Sequence, residues 1–359
     1  MNKMIKNVVI VFACLISTFA IFSLKKSDTA FADNGSAEIV MELNSKRVLY
    51  AKNETVRKFM ASTTKILTAI TVIENFDVNS LVTVTKETVG VEGSSIYLEA
   101  GEVLTVKDLL FGLMLRSGND CAETLAVYCS GSIENFACLM NETARKIGAV
   151  NSHFVNPHGL HNDGHFTTAY DLALISCYAM KNDIFREIVS TKTVEIPFST
   201  RNYNRRLVNK NKMLKEFEGS TGIKTGFTKK AGRCLVSSCR RNGMELISVV
   251  LNCPPMFERS KELLADCFNE YSYEKILEAD DIIDFVEIKD SDKKCAIYVK
   301  NDIYLPLTKM EKKNFSVVYD YPDKLVPPLE KDETVGTIKI YYENNLLFSE
   351  KVYNIVEVN

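Results

Sequence analysis

The sequence predicts an α+β protein, in which a domain of helices around an antiparallel sheet is followed by a small all-β domain. Three observations lead to this prediction. Helical periodicity is concentrated between residues 62 and 180. Two alternating runs flank Asn242-Gly243, and an Asn-Gly pair between such runs is a strong hairpin signal. After residue 278, only short strand-like runs remain, separated by turn clusters.

The first domain is predicted to begin with a hairpin and to continue into a buried helix. Residues 37–51 alternate between apolar and polar around Asn44-Ser45-Lys46. Residues 62–74 are apolar nearly all round, so we expect this helix in the core. Residues 151–167 are rich in Asn, His and Gly and are predicted to form a long loop. Cap and stop signals predict further helices that begin near Thr105, Asn119, Ile133 and Thr168.

The chain is predicted to divide at residue 277. Residues 33–277 would form the first domain, which closes with a helix over residues 257–276. Residues 278–359 would form a C-terminal β-sandwich-like domain. Its strands are predicted at residues 282–288, 295–299, 315–318, 334–342 and 347–356. The chain's last residues alternate as a strand does, without the basic amphipathic pattern of a helix that lies on a membrane.

Residues 1–32 have the features of an export signal. Lys3 and Lys6 precede an apolar run at residues 8–24, and Ala30-Phe31-Ala32 matches the small-x-small pattern of a cleavage site. We expect cleavage after Ala32 and an exported protein on the extracellular side of the cytoplasmic membrane. The alternative is an uncleaved N-terminal anchor, which would then be the chain's membrane contact.

The charge balance of the chain argues against one class of partner. The 359 residues include 44 Lys and Arg against 46 Asp and Glu, which gives a formal net charge of -2. Such a balance provides no general attraction to the phosphate backbone of a nucleic acid. We therefore expect no nucleic-acid partner, and any charged ligand must be recognised at a local site.

Ser62 and Lys65 are the first candidate catalytic pair. Positions i and i+3 share one face of a helix, so the lysine amine can reach the serine hydroxyl. A serine hydroxyl is a weak nucleophile until a base takes its proton, and a buried lysine with a lowered pKa can be that base. The free N–H groups at the helix start can stabilise an oxyanion. The same spacing occurs at Ser23–Lys26, Ser272–Lys275 and Ser291–Lys294, but only Ser62 opens a long buried helix.

Two later motifs could complete a site around this pair. Ser117-Gly118-Asn119 offers a hydroxyl to relay a proton and an amide to hold a peptide group, although it would equally suit an ordinary N-cap turn. Lys224-Thr225-Gly226 offers a cation, a hydroxyl and a residue without a side chain. Together these can bind a terminal carboxylate and let a substrate backbone approach closely, although the segment would equally suit an exposed strand end.

The ordered triple S-x-x-K, S-x-N and K-T-G is the signature of penicillin-recognising serine enzymes. Over residues 37–273 the chain resembles the low-molecular-mass penicillin-binding proteins that are D-alanyl-D-alanine carboxypeptidases. The similar segments are residues 57–69 (RKFMASTTKILTA), 115–123 (LRSGNDCAE), 156–160 (NPHGL), 168–173 (TAYDLA) and 222–232 (GIKTGFTKKAG). Met60 stands where the family often has Pro, and Cys121 stands where Ala is common. Neither departure removes a catalytic group.

The resemblance implies a penicillin-binding/β-lactamase-like catalytic domain. Such an enzyme removes the terminal D-alanine from peptidoglycan pentapeptide stems through an acyl-enzyme, here on Ser62. Lys65 would accept the proton of the hydroxyl, and Ser117 would pass it to the leaving D-alanine. Asn119 would hold the substrate amide. The stem peptide is the implied partner, and β-lactams are the implied acylating inhibitors.

The K-T-G segment has its own implied role. Lys224 and Thr225 would bind the terminal carboxylate, and Gly226 would let the substrate backbone approach. The backbone N–H groups of Ser62 and Phe227 would form the oxyanion hole. The resemblance implies no metal and no organic cofactor.

Several other functions fit part of the pattern. A class A β-lactamase would carry a Glu-x-x-Leu-Asn segment between Asn119 and Lys224, and none is present, so fast hydrolysis of penicillin is not expected. A non-catalytic peptidoglycan-binding protein would have lost a Ser, Lys or Asn of the triple. A D,D-endopeptidase or transpeptidase that uses the same site stays open.

The histidines of the chain suggest a metal site or a Ser-His-Asp triad. They are crowded into the predicted loop at His153, His158, His161 and His165. No carboxylate or thiol stands at a spacing typical of a metal ligand set. We therefore expect no bound metal, and the resemblance implies a structural loop, because the family places a similar N-P-H-G-L segment in such a loop.

Overall fold

A five-stranded antiparallel sheet forms the centre of the first domain in the computed structural model, which describes residues 35–358. The strands of this domain are β1 (Ala37–Glu42), β2 (Val48–Lys52), β3 (Leu81–Thr83), β4 (Val103–Thr105), β5 (Thr193–Ile196), β6 (Arg205–Val208), β7 (Ser220–Thr228), β8 (Gly232–Arg241) and β9 (Met244–Leu251). The main sheet has the order β2-β1-β9-β8-β7, so the strand with the K-T-G segment lies at one edge. The pairs β3–β4 and β5–β6 form two small additional ribbons.

Helices cover both faces of the main sheet. The helices of this domain are α1 (Lys65–Asn75), α2 (Val106–Phe111), α3 (Asn119–Ser130), α4 (Ile133–Ile147), α5 (Ala169–Ala179), α6 (Asp183–Ser190), α7 (Met213–Glu216) and α8 (Met256–Glu270). On β1, Ile39 packs into the core with α1 and α5, whereas the next residue, Val40, packs into a second core with α8. Strand residues alternate between faces, so this strand separates two apolar layers.

Local sequence signals correctly predicted several of these elements. Asn242 and Gly243 both have positive φ, at 49° and 84°, as a two-residue type I′ hairpin turn requires. Thr105 forms a capping box with Asp108 at the start of α2. Gly148 ends α4 in the left-handed conformation, with φ at 97°. The helices predicted near Thr105, Asn119, Ile133 and Thr168 are therefore confirmed.

The predicted helix over residues 257–276 is wrong at its C-terminal end. Helix α8 ends at Glu270, and the chain continues as strand β10 (Tyr271–Leu277). Tyr271 and Tyr273 are two residues apart, which puts both on one face of a strand, and both pack against the core beneath α8. Strand β10 pairs with a strand further along the chain, at Ile303–Thr308. The domain boundary after residue 277 stays a prediction.

The C-terminal part, from β10 onward, is built from two sheets. Its remaining elements are β11 (Ile282–Ile288), β12 (Lys294–Tyr298), β13 (Ile303–Thr308), α9 (Lys309–Asn314), β14 (Phe315–Asp320), β15 (Lys324–Leu325), β16 (Thr334–Tyr342) and β17 (Asn345–Asn354). Six strands form one sheet in the order β14-β16-β17-β12-β11-β15, and β10 pairs with β13. An apolar core that includes Ile297, Leu305 and Ile338 lies within this part. The short helix α9 was not predicted, because its six residues show a capping box at Thr308 but no apolar period.

The α+β fold class with a C-terminal β domain is confirmed. The described residues, 35–358, belong to one compact unit. Within the part of the chain that the structure describes, no helix has the length and apolar character needed to cross a membrane. The predicted export signal at residues 1–32 lies outside the described residues.

Candidate active site

The nucleophile candidate Ser62 lies in a tight turn at the entrance to α1. The turn is a 3-10 helix, Ala61–Thr64, and Ala61 has a positive φ of 48°. Two threonine side chains brace it: Thr63 Oγ1 donates to the carbonyl of Met60 at 2.6 Å, and Thr64 Oγ1 donates to the carbonyl of Ala61 at 2.8 Å. A non-glycine residue with positive φ costs energy and persists only where its surroundings impose it. The turn therefore holds Ser62 in a defined position.

Lys65 is fully buried beneath this turn, and three oxygen atoms surround its amine. Its Nζ lies 3.3 Å from Ser62 Oγ, and it donates to Asn119 Oδ1 at 2.7 Å and to the carbonyl oxygen of His158 at 2.8 Å. A neutral amine has two hydrogens and one lone pair. Because the amide and carbonyl oxygens can only accept, they take the two hydrogens. The lone pair is then left to face the Ser62 hydroxyl.

The charge state of Lys65 follows from its surroundings. Burial and the nearby cation of Lys224 hold the pKa of Lys65 well below its usual range. Desolvation disfavours the ammonium form, and a like charge close by disfavours it further. A lysine with a lowered pKa can accept a proton near neutral pH, as a general base requires.

The S-x-N segment lies against Lys65, a contact that the order of the motifs along the chain could not predict. A π-helical turn, Gly112–Arg116, precedes it, and Ser117 follows in the left-handed conformation with φ at 65°. Such turns are frequent at functional sites. Asn119 is almost fully buried, with Oδ1 toward Lys65 and Nδ2 donating to the carbonyl of Glu92 at 2.5 Å. Its amide is therefore held at both ends.

The K-T-G segment lies on edge strand β7, directly beside the nucleophile turn. A Cβ atom added at Gly226 would lie 3.1 Å from the backbone nitrogen atoms of Ser62 and Thr63. That separation is tighter than ordinary contact, so a side chain here would push the strand away from the turn. Gly226 thus permits the close approach of β7 to the backbone N–H of Ser62.

Lys224 is the second buried lysine of the site. Its side chain is 2% exposed, and Nζ donates to the carbonyl of Thr225 at 2.9 Å. Burial, with a smaller effect of Lys210, lowers the pKa of Lys224 to about 7. Its charge therefore changes within the physiological pH range.

The structure brings all eight predicted site residues together. A cleft of about 360 Å³ is lined by Ser62, Ser117, Thr225, Gly226 and Phe227. The other three predicted residues are buried: Lys65 and Asn119 are hydrogen bonded to each other, and Lys224 adjoins Thr225. Ser94, Lys210, Arg233, Met256 and Phe257 complete the lining.

Arg233 is a candidate that sequence reasoning missed. It lies on β8, directly across from Phe227 in the register of the two strands, and its guanidinium carbon is 4.8 Å from the centre of the Phe227 ring. Among the residues that the structure describes, no carboxylate forms an ion pair with Arg233. The strand pairing, which is visible only in the fold, is the signal that would have identified it.

Lys210 is a second missed residue. Its amine donates to Ser94 Oγ at 3.2 Å, and both residues line the cleft. Burial, with the nearby Arg116, lowers the pKa of Lys210. Lys210 and Arg233 therefore add two basic groups to the cleft wall, which suits an anionic ligand.

The histidine loop contacts the buried Lys65. The carbonyl of His158 accepts from Lys65, and the His158 ring lies 3.2 Å from Glu123. His165 Nδ1 accepts from the backbone N–H of Val155, and its Nε2 lies 2.7 Å from Thr64 Oγ1. Burial lowers the pKa of His165 to about 3, so the ring is neutral at working pH. Within residues 35–358, no cluster of three or more His, Cys, Asp or Glu side chains could hold a metal ion.

This geometry is typical of one class of enzyme, the serine acyl-transfer enzymes in which a buried lysine amine lies within reach of the serine hydroxyl. Residues 25–254 match the family model described as D-alanyl-D-alanine carboxypeptidase, and residues 271–359 match the model described as the C-terminal domain of penicillin-binding protein 5. The chain belongs to the D-alanyl-D-alanine carboxypeptidase family. It is an enzyme, a serine-type D-Ala-D-Ala carboxypeptidase.

Individual relatives agree with this assignment. The chain is 28% identical to the D-alanyl-D-alanine carboxypeptidase DacF of Bacillus subtilis over 354 residues, which cover 94% of this chain and 90% of the relative. It is 31% identical to DacA of Escherichia coli over 338 residues, which cover 89% and 82%.

Solved structures show the same fold. Penicillin-binding protein 5 of Haemophilus influenzae is similar with a TM-score of 0.78 and 27% identity, covering 90% of this chain and 97% of that one. A DD-transpeptidase of Streptomyces K15, solved as a serine-to-alanine mutant, is similar with a TM-score of 0.62 and 31% identity, covering 65% and 97%.

Proposed function

We propose that Ser62 is the nucleophile of this carboxypeptidase and that neutral Lys65 is its general base. The observation that carries the proposal is the arrangement around the Lys65 amine. Asn119 Oδ1 and the His158 carbonyl oxygen accept its two hydrogens, and Ser62 Oγ lies 3.3 Å away on the remaining side. The lone pair of the amine can therefore take the hydroxyl proton without a rearrangement of the site.

Acylation of Ser62 then proceeds by bond formation, proton transfer and release of D-alanine. Ser62 Oγ attacks the carbonyl carbon between the last two D-alanines while its proton moves to Lys65. The N–H groups of Ser62 and Phe227 stabilise the oxyanion. The C–N bond breaks, and the proton passes through Ser117 to the leaving amine of D-alanine. Ser117 suits this relay because it lines the same cleft as Ser62.

The substrate is held from two sides in this proposal. Thr225 and Lys224 bind the terminal carboxylate, and Asn119 Nδ2 contacts the peptide amide on the acyl side. Gly226 lets the substrate backbone lie close to β7, where a side chain would crowd Ser62. In deacylation, water attacks the ester carbonyl carbon and gives a proton to Lys65. The bond from that carbon to Ser62 Oγ then breaks, and Lys65 returns the proton to Ser62 Oγ.

The proposed substrate is the pentapeptide stem of peptidoglycan, and β-lactams would acylate Ser62 in its place. We further propose that the protein is exported and acts on the wall side of the cytoplasmic membrane. The support for export is the basic start, apolar run and Ala30-Phe31-Ala32 pattern of residues 1–32.

The direct test uses purified protein with a muramyl pentapeptide and with a labelled penicillin. We expect release of free D-alanine and a stable penicillin adduct, which mass spectrometry of the digested protein locates on Ser62. The Ser62→Ala variant is the matched control and should do neither. Cleavage of crosslinked stem dimers without D-alanine release would contradict the carboxypeptidase activity.

Transfer to an amine is the second candidate reaction, because a solved structure with this fold is described as a DD-transpeptidase. The acyl-enzyme is common to both reactions, and only the acceptor differs. Adding glycine as an acceptor to the pentapeptide assay separates them. We expect hydrolysis to dominate, and a predominant glycine-exchanged product would assign transpeptidation instead.

A further inference from the structure

The segment Gly93 to Leu98 reaches the active-site cleft through Ser94. Ser94 lines the cleft beside Ser62 and Ser117. Its carbonyl accepts from the backbone N–H of Asn119 at 2.7 Å, and its hydroxyl accepts from Lys210 at 3.2 Å. The segment is therefore tied directly to the groups that surround the nucleophile.

Tyr97, three residues further on, points its ring into solvent. Its side chain is 81% exposed, the highest value among the large hydrophobic residues from 35 to 358, whereas the flanking Ile96 and Leu98 are buried. Tyr97 also has a positive φ of 61°. This conformation is a genuine outlier for a bulky residue, and such outliers are concentrated at ligand clamps and active sites.

The backbone around Tyr97 is held by polar groups rather than by packing of the ring. Asp120 Oδ2 accepts from the backbone N–H groups of Ile96 and Leu98, each at 3.1 Å. Arg205 donates to the Tyr97 carbonyl at 3.1 Å. Asp120 is the neighbour of Asn119 in the chain, so the scaffold of the active site also fixes the backbone that carries the exposed ring.

The position of Tyr97 in the chain limits how far its ring can lie from the cleft. Tyr97 follows Ser94 by three residues, so their Cα atoms are about 10 Å apart at most. In a pentapeptide stem, four residues lie between the scissile bond and the sugar, an extended length of about 13 Å. The sugar end of the stem can therefore reach the rim of the cleft.

We propose that Tyr97 binds the amino sugar to which the stem peptide is attached, a proposal that rests on the proposed function of the cleft. A tyrosine ring offers a large, rigid and amphipathic contact surface at low entropic cost. The C–H face of a sugar ring matches its apolar face, and the sugar hydroxyls can bond to its phenol. Tyr97 would then select stems that are linked to glycan over free peptides.

The test compares kcat/KM for D-alanine release from two substrates, a muramyl pentapeptide and the same pentapeptide without sugar. Tyr97→Gly removes the ring and suits the positive φ, so it preserves the backbone. We expect Tyr97→Gly to lower kcat/KM about tenfold on the muramyl substrate and to leave the free peptide unchanged. Tyr97→Phe keeps the ring and loses only the phenol hydroxyl, so it should lower kcat/KM on the muramyl substrate by about threefold, less than Tyr97→Gly, and leave the free peptide unchanged.

Control measurements distinguish failure of the sugar contact from failure of the proposed function. Tyr319→Ala removes an exposed ring from the C-terminal part and should change neither substrate. Equal effects of Tyr97→Gly on both substrates, or no effect on either, would overturn the sugar contact while leaving the carboxypeptidase activity intact. If the parent protein releases no D-alanine from either substrate, the proposed function itself fails. A larger effect with disaccharide wall fragments than with nucleotide-linked muramyl pentapeptide would assign the contact to the assembled wall.

Discussion

The first domain and the C-terminal β part place the same Ser-x-x-Lys spacing in opposite settings. Ser62 and Lys65 lie at the start of a helix, where i and i+3 share a face, and Lys65 is fully buried. Ser272–Lys275 lies on strand β10, where i and i+3 point to opposite faces. The spacing alone therefore specifies no site, because the secondary structure decides whether the two side chains can meet.

Their electrostatics differ in the same way. Burial and Lys224 lower the pKa of Lys65, whereas a hydrogen bond to Asp302 raises the pKa of the exposed Lys275. Among described residues beyond 277, the buried polar side chains are Glu311 and Asn354. A buried charge costs stability, and the first domain buries two lysine side chains beside the cleft, where burial lowers the pKa of both. The comparison teaches that the candidate chemistry lies where the fold buries ionisable groups.

The largest expected effect is the loss of the nucleophile. Ser62→Ala should lower kcat/KM for D-alanine release by about 10⁵-fold or more and abolish the penicillin adduct. Ser272→Ala in the second pair should have no effect beyond twofold. A labelled penicillin assay on both variants measures this directly, and an adduct that survives in Ser62→Ala would place the nucleophile elsewhere.

Next in size is the loss of the base. Lys65→Arg keeps a permanent positive charge, so it cannot accept the hydroxyl proton. We expect acylation to slow by about 10²- to 10⁴-fold, the range for a general base. Lys275→Arg is the matched exchange on the strand and should acylate at the parental rate. Stopped-flow measurement of the acylation rate in the two variants decides whether Lys65 is the general base.

A smaller effect is expected at Arg233. Its guanidinium lines the cleft without an ion-pair partner among the described residues, so it is available to a substrate carboxylate. Arg233→Gln should raise KM about tenfold or more with little change in kcat, because a hydrogen bond to a charged group is lost. Lys229→Gln, in the exposed turn just after β7, is the control. A fall in kcat at constant KM would contradict a binding role.

The pH dependence should reflect Lys224. Its pKa of about 7 means that the cation predominates below pH 7 and is lost as the pH rises. Carboxylate binding should weaken in that direction, so kcat/KM should fall above pH 7, by at most about tenfold per pH unit. Lys224→Arg stays charged and should remove this alkaline fall. An unchanged profile in Lys224→Arg would assign the titration to another group.

The smallest effect on activity is expected at the junction with the C-terminal part. Arg47 forms an ion pair with Glu311 and donates to the carbonyl of Pro306, and both charged side chains are largely buried. Arg47→Met leaves Glu311 without its partner, which should lower the free energy of unfolding by about 2–4 kcal/mol. D-alanine release per folded molecule should not change.

A matched control exists for this junction variant. Lys312 pairs with Glu274 at a more exposed position, so Lys312→Met should cost less than about 1 kcal/mol. Thermal unfolding monitored by circular dichroism compares the two variants. A loss of catalysis in folded Arg47→Met would show that the C-terminal part contributes to the cleft after all.

The sequence by itself determined the fold class, the hairpin turn at Asn242-Gly243 and the three motifs that carry the site. These features depend on local rules: alternation, capping, turn conformation and motif order. Local rules also explain the error at the end of α8. The apolar residues after Glu270 fit the period of a helix as well as that of a strand, and pairing with β13 makes them a strand.

Only the tertiary structure decided that the carbonyl of His158 holds Lys65 and that Arg233 lines the cleft. These facts depend on segments about 90 residues or more apart in the chain, as with Lys65 and His158. The lowered pKa of Lys224 also depends on the tertiary structure, because it results from burial and from the nearby Lys210. Desolvation and charge proximity are properties of the packed chain, so no pattern of neighbours along the sequence can specify them.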